Sequence, residues 1–80
     1  QVDHTVVVRK RHVSELVVDL EHAGFAIDEV ARGLRKTTVA FHRTDCTDLE
    51  SANRFVNQIC DIAEQHHGEY DGWGAFVVQG

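Results

Sequence analysis

An α+β fold is predicted for this chain: a ferredoxin-like β-α-β-β-α-β sandwich, with a four-stranded antiparallel sheet carrying two helices on one face. Three observations predict it. Short β-branched runs and helical repeats alternate in that order, glycines stop both helical repeats, and the turn between the two middle strands is too short for anything but a hairpin. Right-handed crossovers then leave few other ways to close the sheet.

His4-Thr5-Val6-Val7-Val8-Arg9 opens the chain as a strand, β-branched and too short for a stable helix; its consecutive apolar residues suit either a strand covered on both faces or a central position. Val13, Leu16, Val17, Leu20 and Ala23 then recur at helical spacing. Gly24 follows as a C′ glycine, with Phe25 folding back towards Leu20. Residues 25–31 read as a strand with Phe25, Ile27 and Glu29 on one side. Arg32-Gly33-Leu34 turns the chain into a strand over 35–43, which has Thr37, Val39 and Phe41 on one face. Thr47 and Glu50 match a capping box that starts the second helix, whose apolar stripe is Leu49, Ala52, Phe55, Val56, Ile59, Ile62 and Ala63. Gly68 is expected to stop that helix in a left-handed conformation, Asp71-Gly72 to turn, and residues 73–78 to form the last strand.

Eighty residues suit a single domain, 1–80, near the lower limit for an independent core. No apolar run approaches the ~20 residues of a bilayer span, and no signal peptide is visible. The chain has no Met, not even an initiator, which suggests a piece of a longer natural chain. Net charge is −5, and residues 41–80 hold the whole excess: two Lys/Arg against seven Asp/Glu, compared with six against six before them. That half repels nucleic acid and suits a basic protein partner. Cys46 and Cys60, placed before and within one helix, are too far apart for an intrachain disulfide, and free thiols fit a reducing cytoplasm.

Three of the six glycines, the only Trp and the only Tyr fall in residues 66–74. Gly68-Glu69-Tyr70-Asp71-Gly72-Trp73-Gly74, followed by Phe76-Val77-Val78, resembles the GEYDGWG signature of the RraB family, regulators of ribonuclease E activity. The opening strand, the helix ended by Ala23-Gly24-Phe25, the hairpin and the long second helix agree with the family pattern. The resemblance implies a ferredoxin-like fold and a non-catalytic protein that binds an endoribonuclease of the ribonuclease E type and lowers RNA cleavage. Longer members have an acidic extension that this chain lacks.

Glu69, Tyr70, Asp71 and Trp73 are the candidate protein-binding residues, because aromatics beside carboxylates are frequent interface anchors. The same residues also suit a structural corner in which Asp71 bonds a turn amide and Trp73 packs over the helix end. No metal or other cofactor is expected: His42, Cys46, Cys60, His66 and His67 lack paired ligand spacing, and adjacent helical histidines diverge by ~100°. The third strand has one aromatic and no RNA-recognition motif, and Arg9-Lys10-Arg11 is the sole basic cluster, so direct nucleic-acid binding is not expected. Neither Ser14, Ser51 nor the cysteines sit in a nucleophile turn, and no phosphate loop follows a strand, so enzyme activity is not expected. The leading expectation is a cytoplasmic protein-interaction module with no membrane contact. The other is a ferredoxin-like sensor that dimerises and binds a small ligand.

Overall fold

The computed structural model of the protein describes residues 1–75. Its first strand, β1 (Val2–Arg9), buries Val2, His4, Val6 and Val8 and turns Asp3, Thr5 and Val7 to the opposite face. A single 3-10 turn over Lys10–His12 leads into α1 (Val13–His22). Then come β2 (Ala26–Arg32), β3 (Lys36–Arg43), α2 (Leu49–Gln65) and β4 (Glu69–Ala75). The sheet order is β2-β3-β1-β4 and every pairing is antiparallel, which is the ferredoxin-like arrangement. Of the two expectations for β1, the central position holds, while its Asp3, Thr5 and Val7 face carries no helix. Residues 76–78 of the anticipated last strand lie outside the described residues.

Both helices cover one sheet face. Leu16 and Leu20 of α1, and Ile59 and Ala63 of α2, close over Val6, Val8, Val39 and Phe41 with Phe25 at the margin. Fully burying such a side chain contributes roughly 1.5–3 kcal/mol, set against the entropy of ordering it. Leu49, placed by the sequence in the apolar stripe, is instead 79% exposed at the first residue of α2. The cap is also shifted by one residue. Asp48, not Thr47, is the N-cap, and its carboxylate accepts from the Ser51 amide at 3.1 Å. Thr47 and Glu50 therefore form no capping box. Hydrogen bonds from Ser51 hold the Asp48 carboxyl below its usual pKa.

One residue of β2 departs from strict alternation. Ile27 pairs with Phe41 and Glu29 with Ala40, so Asp28 is an extra residue, a β-bulge. The bulge turns Glu29 away from the core and brings Val30, opposite Val39, to the inner face, contrary to the predicted alternation. Between β2 and β3 the turn is closed by the Gly33 amide donating to the Lys36 carbonyl at 2.9 Å. A Cβ on Gly33 would lie 2.8 Å from that oxygen, which is why glycine stands there.

The helix stops differ from one another. At α1, Gly24 has φ +91°, its amide donates to Glu21 and that of Phe25 to Leu20, a Schellman stop as the sequence predicts. At α2 the same two bonds recur, His67 to Glu64 at 3.1 Å and Gly68 to Ala63 at 2.8 Å, but the left-handed residue is His67, with φ 57°. Gly68 serves a different need. A Cβ there would meet the Val7 carbonyl oxygen at 3.0 Å and the Val8 Cβ at 3.3 Å, so glycine allows the chain leaving α2 to cross close against β1. Gly68→Ala is expected to destabilise the protein by roughly 1–3 kcal/mol through this crowding. Gly74→Ala, whose Cβ would have nothing within 4 Å, is expected to stay within about 0.5 kcal/mol of wild type. Urea denaturation of the two variants measures the contrast.

Candidate functional site

From Gly68 the chain runs directly into β4 as an edge strand beside β1. Asp71-Gly72 does not turn the chain, contrary to the sequence reading. His4 pairs with Trp73 and Val6 with Tyr70, so two steps on β1 face three on β4, and Asp71-Gly72 is a β-bulge. Gly72 takes φ +110°, a conformation costly for any side chain. The bulge keeps Tyr70 and Trp73 on the helix-covered side despite their odd separation.

The four anticipated contact residues are therefore divided between two environments. Glu69 pairs with Val7 on the uncovered face, and Glu69 and Asp71 are both exposed. Tyr70 is half-buried against the core. Trp73 lays its ring edge-on to Phe55 at 5.1 Å and remains 42% exposed. Its support is the second turn of α2 rather than the helix end, because β4 runs back along the helix.

Beneath this strand lies a residue that the sequence reading missed. His4 is 1% exposed and surrounded by four rings: Phe41 stacked at 5.4 Å, Phe25 and Phe55 edge-on, and Tyr70 tilted at 5.9 Å. Its Nδ1 lies 2.8 Å from the Tyr70 hydroxyl, and its Nε2 is buried without a hydrogen-bond partner. Burial lowers the His4 pKa to about 4 and pushes the Tyr70 hydroxyl well above its ordinary value. Both groups are thus neutral at physiological pH, with the Tyr70 hydroxyl donating to Nδ1. The available signal was a histidine at an inward-facing position of a β-branched run.

Two other histidines bond carboxylates. His66, the C-cap of α2, is buried and bonds Asp19 of α1, tying the two helices together. His42 of β3 bonds the bulge residue Asp28 at 2.7 Å on the uncovered face, and Asp3 lies beside them, all three ligand atoms within 4.8 Å of one another. The carboxylate of Asp28 already satisfies the His42 nitrogen. Cys46 and Cys60 are free thiols.

This architecture is a ferredoxin-like α+β sandwich closed by an edge strand that exposes an indole and two carboxylates above a sealed aromatic cage. Residues 1–75 match the family described as regulator of ribonuclease activity B, RraB. The chain belongs to the RraB family, whose members are regulators of ribonuclease activity. Among curated proteins and solved structures, nothing matches it.

The buried imidazole makes stability depend on pH with a definite sign. Between about pH 6.5 and about 4 the unfolded ring takes up a proton that the folded ring refuses, so stability falls as pH drops through that window. The loss attributable to His4 is on the order of 3 kcal/mol. His4→Phe is expected to lie within about 1 kcal/mol of wild type at pH 7, because the Tyr70 hydroxyl loses its acceptor while the unpaired buried Nε2–H is removed, and to show a flatter decline between pH 6.5 and 4. Urea titrations at several pH values measure both.

Proposed function

We propose that the protein is a non-catalytic regulator that binds an endoribonuclease of the ribonuclease E type by protein-protein contact, with no cofactor. The observation that carries this reading is Trp73: a half-exposed indole on an edge strand, braced by Phe55 and flanked by Asp71, in a chain that belongs to the RraB family. A partly exposed aromatic held in place by the core loses little entropy on binding, which is the usual character of an interface anchor.

Charge selects the partner. Glu69 and Asp71 on β4, with Glu64 of α2 beside Glu69, give this side of the molecule an acidic rim that suits a Lys/Arg-rich segment. Tyr70 takes a positioning role, since its hydroxyl holds β4 to His4 and thereby fixes the bulge that presents Asp71 and Trp73. The two free thiols fit action in a reducing cytoplasm.

Titration of the protein against a ribonuclease E-type enzyme that retains its basic non-catalytic region, with RNA cleavage followed in the same samples, tests the proposal. Saturable binding that weakens about tenfold between 50 and 200 mM salt and slows cleavage is expected for a charged interface. Trp73→Ala should weaken binding by roughly tenfold or more while lowering stability by only about 1–2 kcal/mol, because half the ring is already in water. Unchanged binding by Trp73→Ala and by the Glu69→Lys/Asp71→Lys double variant would remove the edge strand from the interface.

A further inference from the structure

The tertiary fold creates a basic pole that the order of residues conceals. Arg9 ends β1 and Lys10 and Arg11 follow it, while Arg32 ends β2 and Arg35 and Lys36 lie at and after the hairpin turn. The antiparallel pairing brings these two segments together: Arg9 is the cross-strand partner of Lys36, and Arg32 lies beside Thr37, which is also the partner of Val8. Six of the eight Lys and Arg residues thus occupy one end of the sheet, and all six are exposed. Among the described residues none of the six has a carboxylate within salt-bridge distance, whereas Arg43 at the opposite end is paired with Asp45.

Arg9 and Lys36 break a local rule. Like charges directly opposite on neighbouring strands disfavour the sheet, and here no acid lies between them. Glu69 is the one carboxylate sharing the hollow that they line, together with His67. Glu69 offsets this pair only in part, and a hollow left with excess positive charge suits an anion supplied from outside. Arg9, Arg35 and Lys36 also line an open hollow with no acidic residue on it.

We propose that this pole binds the phosphate backbone of single-stranded RNA. Four of the six cations are arginines, whose planar forks match phosphate oxygens two at a time, and a chain with one phosphate per nucleotide can engage a row of them at once. Neither segment contains Phe, Tyr or Trp, so no base is stacked and the binding is independent of sequence. The acidic end at Asp3 does not oppose it, and of the β4 carboxylates only Glu69 shares the basic hollow. Asp3 and Arg9 are six residues apart on β1, roughly 20 Å at 3.3 Å per residue, which is about two Debye lengths in physiological salt. Leu34 at the hairpin tip is 99% exposed and contributes nothing to a phosphate contact, so it separates RNA from a lipid surface or an apolar protein pocket.

Anisotropy of a labelled 20-nucleotide RNA, read with the whole protein at 50 to 200 mM salt, tests this. The expected result is micromolar binding at the low end, with a log-log salt slope near −3, as about four neutralised phosphates imply. The Arg35→Glu/Lys36→Glu variant should lose binding at least tenfold, whereas Arg54→Glu and Leu34→Ser should leave it unchanged. Lys36→Gln should bind RNA more weakly yet melt roughly 1–4 °C higher, since it relieves the Arg9 repulsion; a merely solvated patch would not couple the two changes. No RNA binding, a salt slope shallower than −1, or capture by phosphatidylglycerol vesicles in a Leu34-dependent manner without RNA binding would overturn the proposal. The ribonuclease contact at β4 is read separately, as binding to the enzyme in the absence of RNA, so the two readings fail separately.

Discussion

A neutral imidazole inside an aromatic cage is the interaction on which the rest of the structure depends. His4 stands on the central strand, and the rings around it come from the residue preceding β2, from β3, from α2 and from β4. One side chain thereby registers four separate parts of the chain against β1. Its single polar contact, with Tyr70, is the only side-chain hydrogen bond found between β1 and β4 among the described residues, and it lies beside the bulge that aims Trp73. A phenylalanine in place of His4 would fill similar space but could not specify which residue of β4 sits opposite, and a wrongly registered edge strand would turn its aromatic residues to the other face.

Antiparallel topology also sorts charge. The chain alternates direction, so the end of β1 and the β2–β3 hairpin fall at one end of the sheet, while Asp3, Asp45 and the acidic start of α2 fall at the other. A protein of net charge −5 consequently has two ends of opposite sign, farther apart than the screening distance, with Glu69 of β4 beside the basic one. Net charge alone describes neither end.

Errors in the sequence reading cluster where two elements meet. Gly24 was legible as a helix stop because its role is local: a left-handed residue and two backbone bonds within six residues. Gly68 looked identical in sequence, yet it is needed for its clearance from β1, a strand more than fifty residues earlier, and the left-handed strain fell on His67. Thr47 and Asp48 compete for one capping position, and the start of α2 settles the competition in favour of Asp48. Glu29 and the Asp71-Gly72 pair were misplaced for a common reason. Each follows or forms a bulge, and an extra residue in one strand is visible only against the register of its neighbour.

Local chemistry in the sequence determined the number, kind and order of elements, both glycine-flanked helix ends, the inward face of β3, and through the signature in residues 68–74 the family itself. These follow from periodicity and backbone preference, which act over a few residues. Only the tertiary structure decided that His4 is an interior residue, that Tyr70 serves the core while Trp73 stays at the surface, and that two modest basic runs form one pole. Burial and charge density are sums over neighbours in space, and the chain brings those neighbours together only when the sheet has closed.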